Sequence, residues 1–67
     1  MGSVARVSEI SATSDISFED AIKTGVDRAQ QTLRIVKSAW IKEQEVQVGD
    51  SGITSYKVNM LISFVLE

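Results

Sequence analysis

Apolar residues occupy every second position near the end of the chain: Tyr56, Val58, Met60, Ile62, Phe64 and Leu66. This period-2 pattern predicts a long β-strand with one apolar face. The alternate positions, Lys57, Asn59, Leu61, Ser63 and Val65, give a second face that is mixed rather than polar. At about 3.4 Å per residue, residues 53–66 would span roughly 45 Å. A compact 67-residue domain would be only about 28 Å across. Such a strand either curls strongly or reaches onto a neighbouring subunit, and Leu61 and Val65 favour the neighbour.

Upstream, Phe18, Ile22, Val26, Ala29, Leu33 and Val36 recur at spacings of three and four, which predicts one stripe of a helix over residues 18–36. Ser17 is the expected N-cap, because its hydroxyl can accept from the free N–H groups of the first turn. Glu19 and Asp20 suit that end of the helix dipole, and Arg34 and Lys37 suit the other. Gly25 in mid-helix costs about 1 kcal/mol relative to alanine, and close approach of helix to sheet is the expected compensation.

Residues 4–11 read as a first strand with Val7 and Ile10 as its core positions, followed by a polar connector over 13–17. Residues 38–48 read as a second strand, with Ala39 and Ile41 on one face and Ser38, Trp40, Lys42, Gln44 and Val46 on the other. Gly49-Asp50-Ser51-Gly52 is a turn of residues that tolerate positive φ. The order is β-α-β-β, an α+β fold in a single domain over 1–67. A right-handed crossover makes the first two strands parallel. The third, antiparallel to both, then lies between them. The result is a three-stranded antiparallel sheet wrapped around one helix.

Composition narrows the function. A chain this short buries only about 60% of its unfolded surface, so it needs disulfides, a metal or oligomerisation. It has no cysteine and no histidine, which leaves only hard cations with oxygen ligands, calcium or magnesium. Oligomerisation is the expected remedy. The net charge of −2 with seven scattered basic residues argues against nucleic acid. No apolar run suits a membrane span or a signal peptide, and a cytoplasmic location follows as an expectation. With no histidine or thiol to activate Ser14, Ser17 or Ser38, catalysis is the weakest reading.

The residues also resemble a known family. The run Val4-Ala5-Arg6-Val7-Ser8-Glu9-Ile10, then Thr13-Ser14, Ser17, Asp27-Arg28-Ala29, Thr32-Leu33-Arg34 and the strand from Tyr56-Lys57-Val58 to Ser63-Phe64, is similar to the dodecins. The resemblance implies a hollow shell of twelve subunits, often binding flavins at subunit interfaces. It also implies a stacking tryptophan just after the helix and a ring-edge glutamine on the last strand. Those positions here are Ser38 and Lys57. Serine has no π-face, and stacking on an aromatic is worth about 1–3 kcal/mol per base. Lysine donates hydrogen bonds but accepts none. The chain looks closer to the tryptophan-lacking branch, which includes calcium dodecins, through Ile41-Lys42-Glu43-Gln44-Glu45, the following turn and Tyr56-Lys57-Val58.

These readings leave a short set of candidates. Trp40, on the same face as Ser38 and about 7 Å along the strand, either stacks on a flavin in an altered geometry or packs against another subunit. The second fits better, because the shift moves a ligand off the family's symmetry axis. Lys57 either binds an anion or pairs with Glu43 or Glu45 across the strands. Glu43, Glu45 and Asp50 either form a cation site, with Glu43 the best single ligand, or are solvated. The expected function is a non-catalytic homododecamer that binds, buffers or stores a small ligand, with cation binding as the alternative.

Overall fold

The computed structural model describes residues 2–66. It contains β1 (Ala5–Ser14), α1 (Phe18–Thr32), β2 (Val36–Gly49) and β3 (Gly52–Val65). The sheet order is β1-β3-β2, with β3 antiparallel to both neighbours, as the crossover argument requires.

The helix packs on one face of this sheet, mainly against β1 and β3. Val58, Met60 and Ile62 of β3 are fully buried beneath it. The helix meets them with small residues: Ala21, Gly25 and Ala29 are buried, while Phe18, Ile22 and Val26 flank them half-buried. The expected close approach at Gly25 is present. A β-carbon there would lie 2.8 Å from Met60 Cε and 3.1 Å from Ala12 Cβ, inside van der Waals contact.

Ser17 caps α1 as expected, its extended backbone (φ −167°) letting Oγ accept from Asp20 N–H at 3.0 Å. Buried Ser14 extends the cap: its Oγ donates to Asp20 Oδ2 at 2.7 Å and accepts from the Ile16 N–H at 2.9 Å. Removing this hydroxyl takes a partner from the half-buried, charged Asp20 carboxylate and from the Ile16 N–H. Ser14→Ala is therefore expected to cost about 1–3 kcal/mol, read from the urea midpoint. A change below a few tenths of a kcal/mol would show that water replaces the hydroxyl.

Several expected boundaries and faces need correction. The helix stops at Thr32, not at 36: Leu33 is already extended and Ile35 has φ 50°. Val36 instead pairs with Phe64, so β-branched Ile35 and Val36 go to the sheet connection. Arg34 and Lys37 lie beyond the last turn, which carries no basic residue.

β1 begins at Ala5 and continues through Ser14, because Thr13 and Ser14 pair with Lys57 and Tyr56. Its even positions, Ile10, Ala12 and Ser14, pair with Met60, Val58 and Tyr56 on the helix side. Val7 therefore points away and is 54% exposed; alternation allows only one of Val7 and Ile10 in this core. Leu66 falls just past β3 and is also exposed.

β2 runs two residues earlier and one later than 38–48, and it is irregular. Its register shifts between Val36 and Ser38, Ile41 and Glu43, and Gln47 and Val48. The second shift leaves Lys42 as the extra residue and reverses the alternation. Gln44 and Val46 pair with Val58 and Tyr56, so they lie on the helix side and not with Trp40 as expected.

The described residues extend 54 × 20 × 13 Å. Fifteen helical residues cover about 22 Å at 1.5 Å each, so the 14-residue strands overrun the helix. The predicted excess length of the last strand is real, and it leaves a two-stranded arm beyond Tyr56.

Candidate functional site

The sheet face turned away from α1 collects every expected site residue except Asp50. Register fixes its rows across β1, β3 and β2: Val7–Ser63–Ser38, Glu9–Leu61–Trp40, Ser11–Asn59–Glu43 and Thr13–Lys57–Glu45. Asp50 lies apart, in the two-residue turn closed by the Gly49–Gly52 pair.

Trp40 is the largest exposed apolar group on this face, 72% accessible. It stands opposite Leu61, with the Ser38 and Ser63 pair on the row before and the Glu43 and Asn59 pair on the row after. Asn59 Nδ2 donates to Glu43 Oε1 at 2.9 Å, fixing that carboxylate on one side. On Trp40's own row, Lys42 Nζ reaches over β3 to Glu9 Oε2 at 3.3 Å. Lys42 lies on this face as alternation from Trp40 expects, and the bulge turns Glu43 out beside it.

Lys57 stands directly opposite Glu45, so the register permits the cross-strand pairing that the sequence suggested. Glu45 also accepts from Gln47 Nε2 at 3.1 Å. Glu43 and Glu45 lie two residues apart on one face. Among the described residues no three acidic side chains gather as a metal-holding group, so one chain does not unite Glu43, Glu45 and Asp50.

Ser38 and Lys57 are also kept apart. Ser38 is level with Ser63, six residues along β3 from Lys57, a separation of roughly 20 Å. No flavin-sized ring touches both within one chain; a ligand held at both positions needs two copies. Neither side chain by itself fits the role that the resemblance gives its position, since serine offers no stacking surface and lysine no acceptor.

The remaining polar features are structural. Lys23 on the exposed helix face donates to Asp27 at 2.7 Å, and that bond and its charge hold the ammonium pKa above its usual value. No buried side-chain polar atom among the described residues lacks a partner. No helix among them is long and apolar enough to cross a membrane.

Sequence reasoning found Trp40, Lys57 and Glu43 and offered Glu45 as a partner for Lys57, but missed the pairing of Glu43 with Asn59 and of Lys42 with Glu9. The signal was present in the adjacent polar pair Lys42-Glu43, which breaks alternation and marks the bulge.

Comparison with known proteins agrees with this architecture. The family description "Dodecin" matches residues 4–67. The dodecin of Thermus thermophilus is 34% identical over 67 residues, covering 100% of this chain and 97% of that protein. The solved dodecin from Streptomyces davaonensis superposes with a TM-score of 0.93 at 31% identity, over 100% of this chain and 98% of the other. The solved calcium dodecin of Mycobacterium tuberculosis, described as having a novel calcium-binding site, gives a TM-score of 0.84 at 31% identity, over 97% and 93%.

Proposed function

This chain belongs to the dodecin family, and on that premise we propose that it is a non-catalytic homo-oligomer, a dodecameric shell, holding a small ligand where the outer sheet faces of its copies meet. The observation that carries this is the outer face itself: an exposed tryptophan opposite a leucine, framed by polar rows, on a sheet too long for its own helix. A lone copy leaves that surface in water. Contact with further copies covers it and encloses the ligand.

The flavin-binding positions are altered in this reading. Ser38 removes the stacking surface, and Lys57 faces Glu45 across the strands. Flavin binding should therefore be weak. The test is native mass by ultracentrifugation together with titration of riboflavin and FMN, followed by flavin fluorescence. The expected result is a large assembly that quenches neither flavin stoichiometrically at micromolar concentration. Strong stoichiometric quenching would overturn the altered site, and a monomer would overturn the shell.

A second reading, cation binding, is favoured by Glu43 and Glu45 side by side on the open face and by the likeness to a calcium dodecin. Copies meeting at an axis would bring further oxygens. A calcium-dependent rise in Tm reversed by chelator supports it, since a ligand selective for the native state stabilises by mass action. A flat titration removes it.

A further inference from the structure

A cleft of about 590 Å³ opens between α1 and β1, on the helix side of the sheet and away from Trp40. Because β1 is an edge strand, no other strand of the chain closes this side. Small side chains leave the space: Ala12 on β1 meets Gly25 and Ala29 on α1 at the floor, and Ile10 and Leu33 extend the apolar surface. Sites for small organic molecules usually measure roughly 300–1,000 Å³, so the cleft has a suitable size.

The rim is polar. Thr24, Arg28 and Thr32 follow one another at spacings of four along α1, which puts them on one stripe above the floor. Ser8 lines the facing wall from β1, half-buried and on the helix side, where its pairing with Ile62 sets it. From Thr24 to Thr32 the helix rises about 12 Å.

The rim also carries one uncompensated charge. The Arg28 side chain has no hydrogen-bond or ion-pair partner among the described residues. The carboxylates next to the lining positions in sequence are engaged elsewhere. Asp27 accepts from Lys23 at 2.7 Å on the exposed helix face, and Glu9 from Lys42 at 3.3 Å on the opposite sheet face. No acidic residue lines the cleft among the described residues. The Ser8 and Thr24 hydroxyls have no partner among them either, whereas Thr32 Oγ1 donates to the Ala29 carbonyl at 3.5 Å.

We infer that this cleft binds a small amphipathic organic anion, a phosphate or carboxylate group on a short apolar body. Arg28 supplies a planar fork of N–H donors that matches either group with two parallel bonds. Ser8 and Thr24 add hydroxyl donors from the two walls, and the apolar body lies along Ile10, Ala29 and Leu33. Charge complementarity selects the anion, because a cation would meet the guanidinium with no carboxylate to offset it. One chain's own α1 and β1 build the site, so it stands apart from the ligand proposed for the outer sheet face.

The test is calorimetric titration of the full chain with octyl phosphate and octanoate, each below its micelle concentration. Octyl glucoside and octyltrimethylammonium serve as neutral and cationic controls. The expected result is one anion bound per chain, with both controls at least tenfold weaker; the tighter of the two anions identifies the preferred group. Arg28→Gln should weaken the anion about tenfold to a hundredfold, the loss of a charge-assisted hydrogen bond. Arg28→Lys should weaken it less, since lysine keeps the charge without the fork. Trp40→Ala should change nothing. Arg28 is exposed, so its variants should keep the parent's circular dichroism and native mass.

Failure of both anions to bind would overturn the inference, as would equal binding of octyltrimethylammonium. An intact Arg28→Gln variant that binds like the parent would do the same. Loss of binding on Trp40→Ala would move the ligand to the outer sheet face and remove this site. None of these results bears on the oligomeric reading, which native mass reports separately.

Discussion

Met60→Ala is expected to lower stability by about 2–5 kcal/mol, the usual range for truncating a buried methionine. Domains hold roughly 0.05–0.15 kcal/mol per residue, so a loss of that size removes much of this chain's own stability. Met60 is fully buried at the centre of β3 and fills the space between Gly25 and the sheet. Urea denaturation at fixed protein concentration measures the loss, because assembly also contributes to the apparent value.

A second substitution makes the contact itself visible. Gly25→Ala alone sets the helix gain of about 1 kcal/mol against a β-carbon 2.8 Å from Met60 Cε and 3.1 Å from Ala12 Cβ. In the Met60→Ala background the first clash is gone, and the new methyl occupies part of the void. Gly25→Ala should therefore be more favourable there than in the parent, with a coupling of about 0.5–3 kcal/mol, as for residues in contact. Strict additivity would show that the helix and β3 do not meet at this point.

How much of this was legible beforehand depended on whether a pattern was local and regular. The alternation from Tyr56 to Phe64 identified the buried face of β3, because a regular central strand shows its pleat directly in the sequence. Ser17 and Gly25 were readable for the same reason, each answering a local need of the helix, a cap and a close approach.

The errors fell where pairing with another strand overrides local signals. Nothing within residues 33–36 ends the helix as a glycine or proline would; the pairing of Val36 with Phe64 does. Val7 and Ile10 both looked like core until register allowed only one. The bulge at Lys42 moved Gln44 and Val46 to the helix side and turned Glu43 outward beside Asn59. For the candidate site, the sequence supplied the residues on the outer face but not their rows. The roughly 20 Å between Ser38 and Lys57 became evident only once Ser38 was level with Ser63.

Ser38→Trp combined with Lys57→Gln is expected to raise flavin affinity well above that of the parent. The face around Ser38 is open and its cross-strand neighbour Ser63 is small, so an indole can lie across the strands without displacing core. Glutamine at 57 both donates and accepts, which lysine cannot, and it no longer places a cation opposite Glu45. Stacking contributes about 1–3 kcal/mol per aromatic face. If tryptophans from two copies enclose the ring, roughly 2–6 kcal/mol results, an affinity gain of about thirtyfold to more than ten-thousandfold. Flavin fluorescence quenching measures it, with unchanged native mass and circular dichroism showing that the assembly is intact. Trp40→Ala in that background should leave most of the gain, since Trp40 lies about 7 Å further along β2. Quenching that stays as in the parent in an intact double variant would show that position 38 is not where a ring stacks.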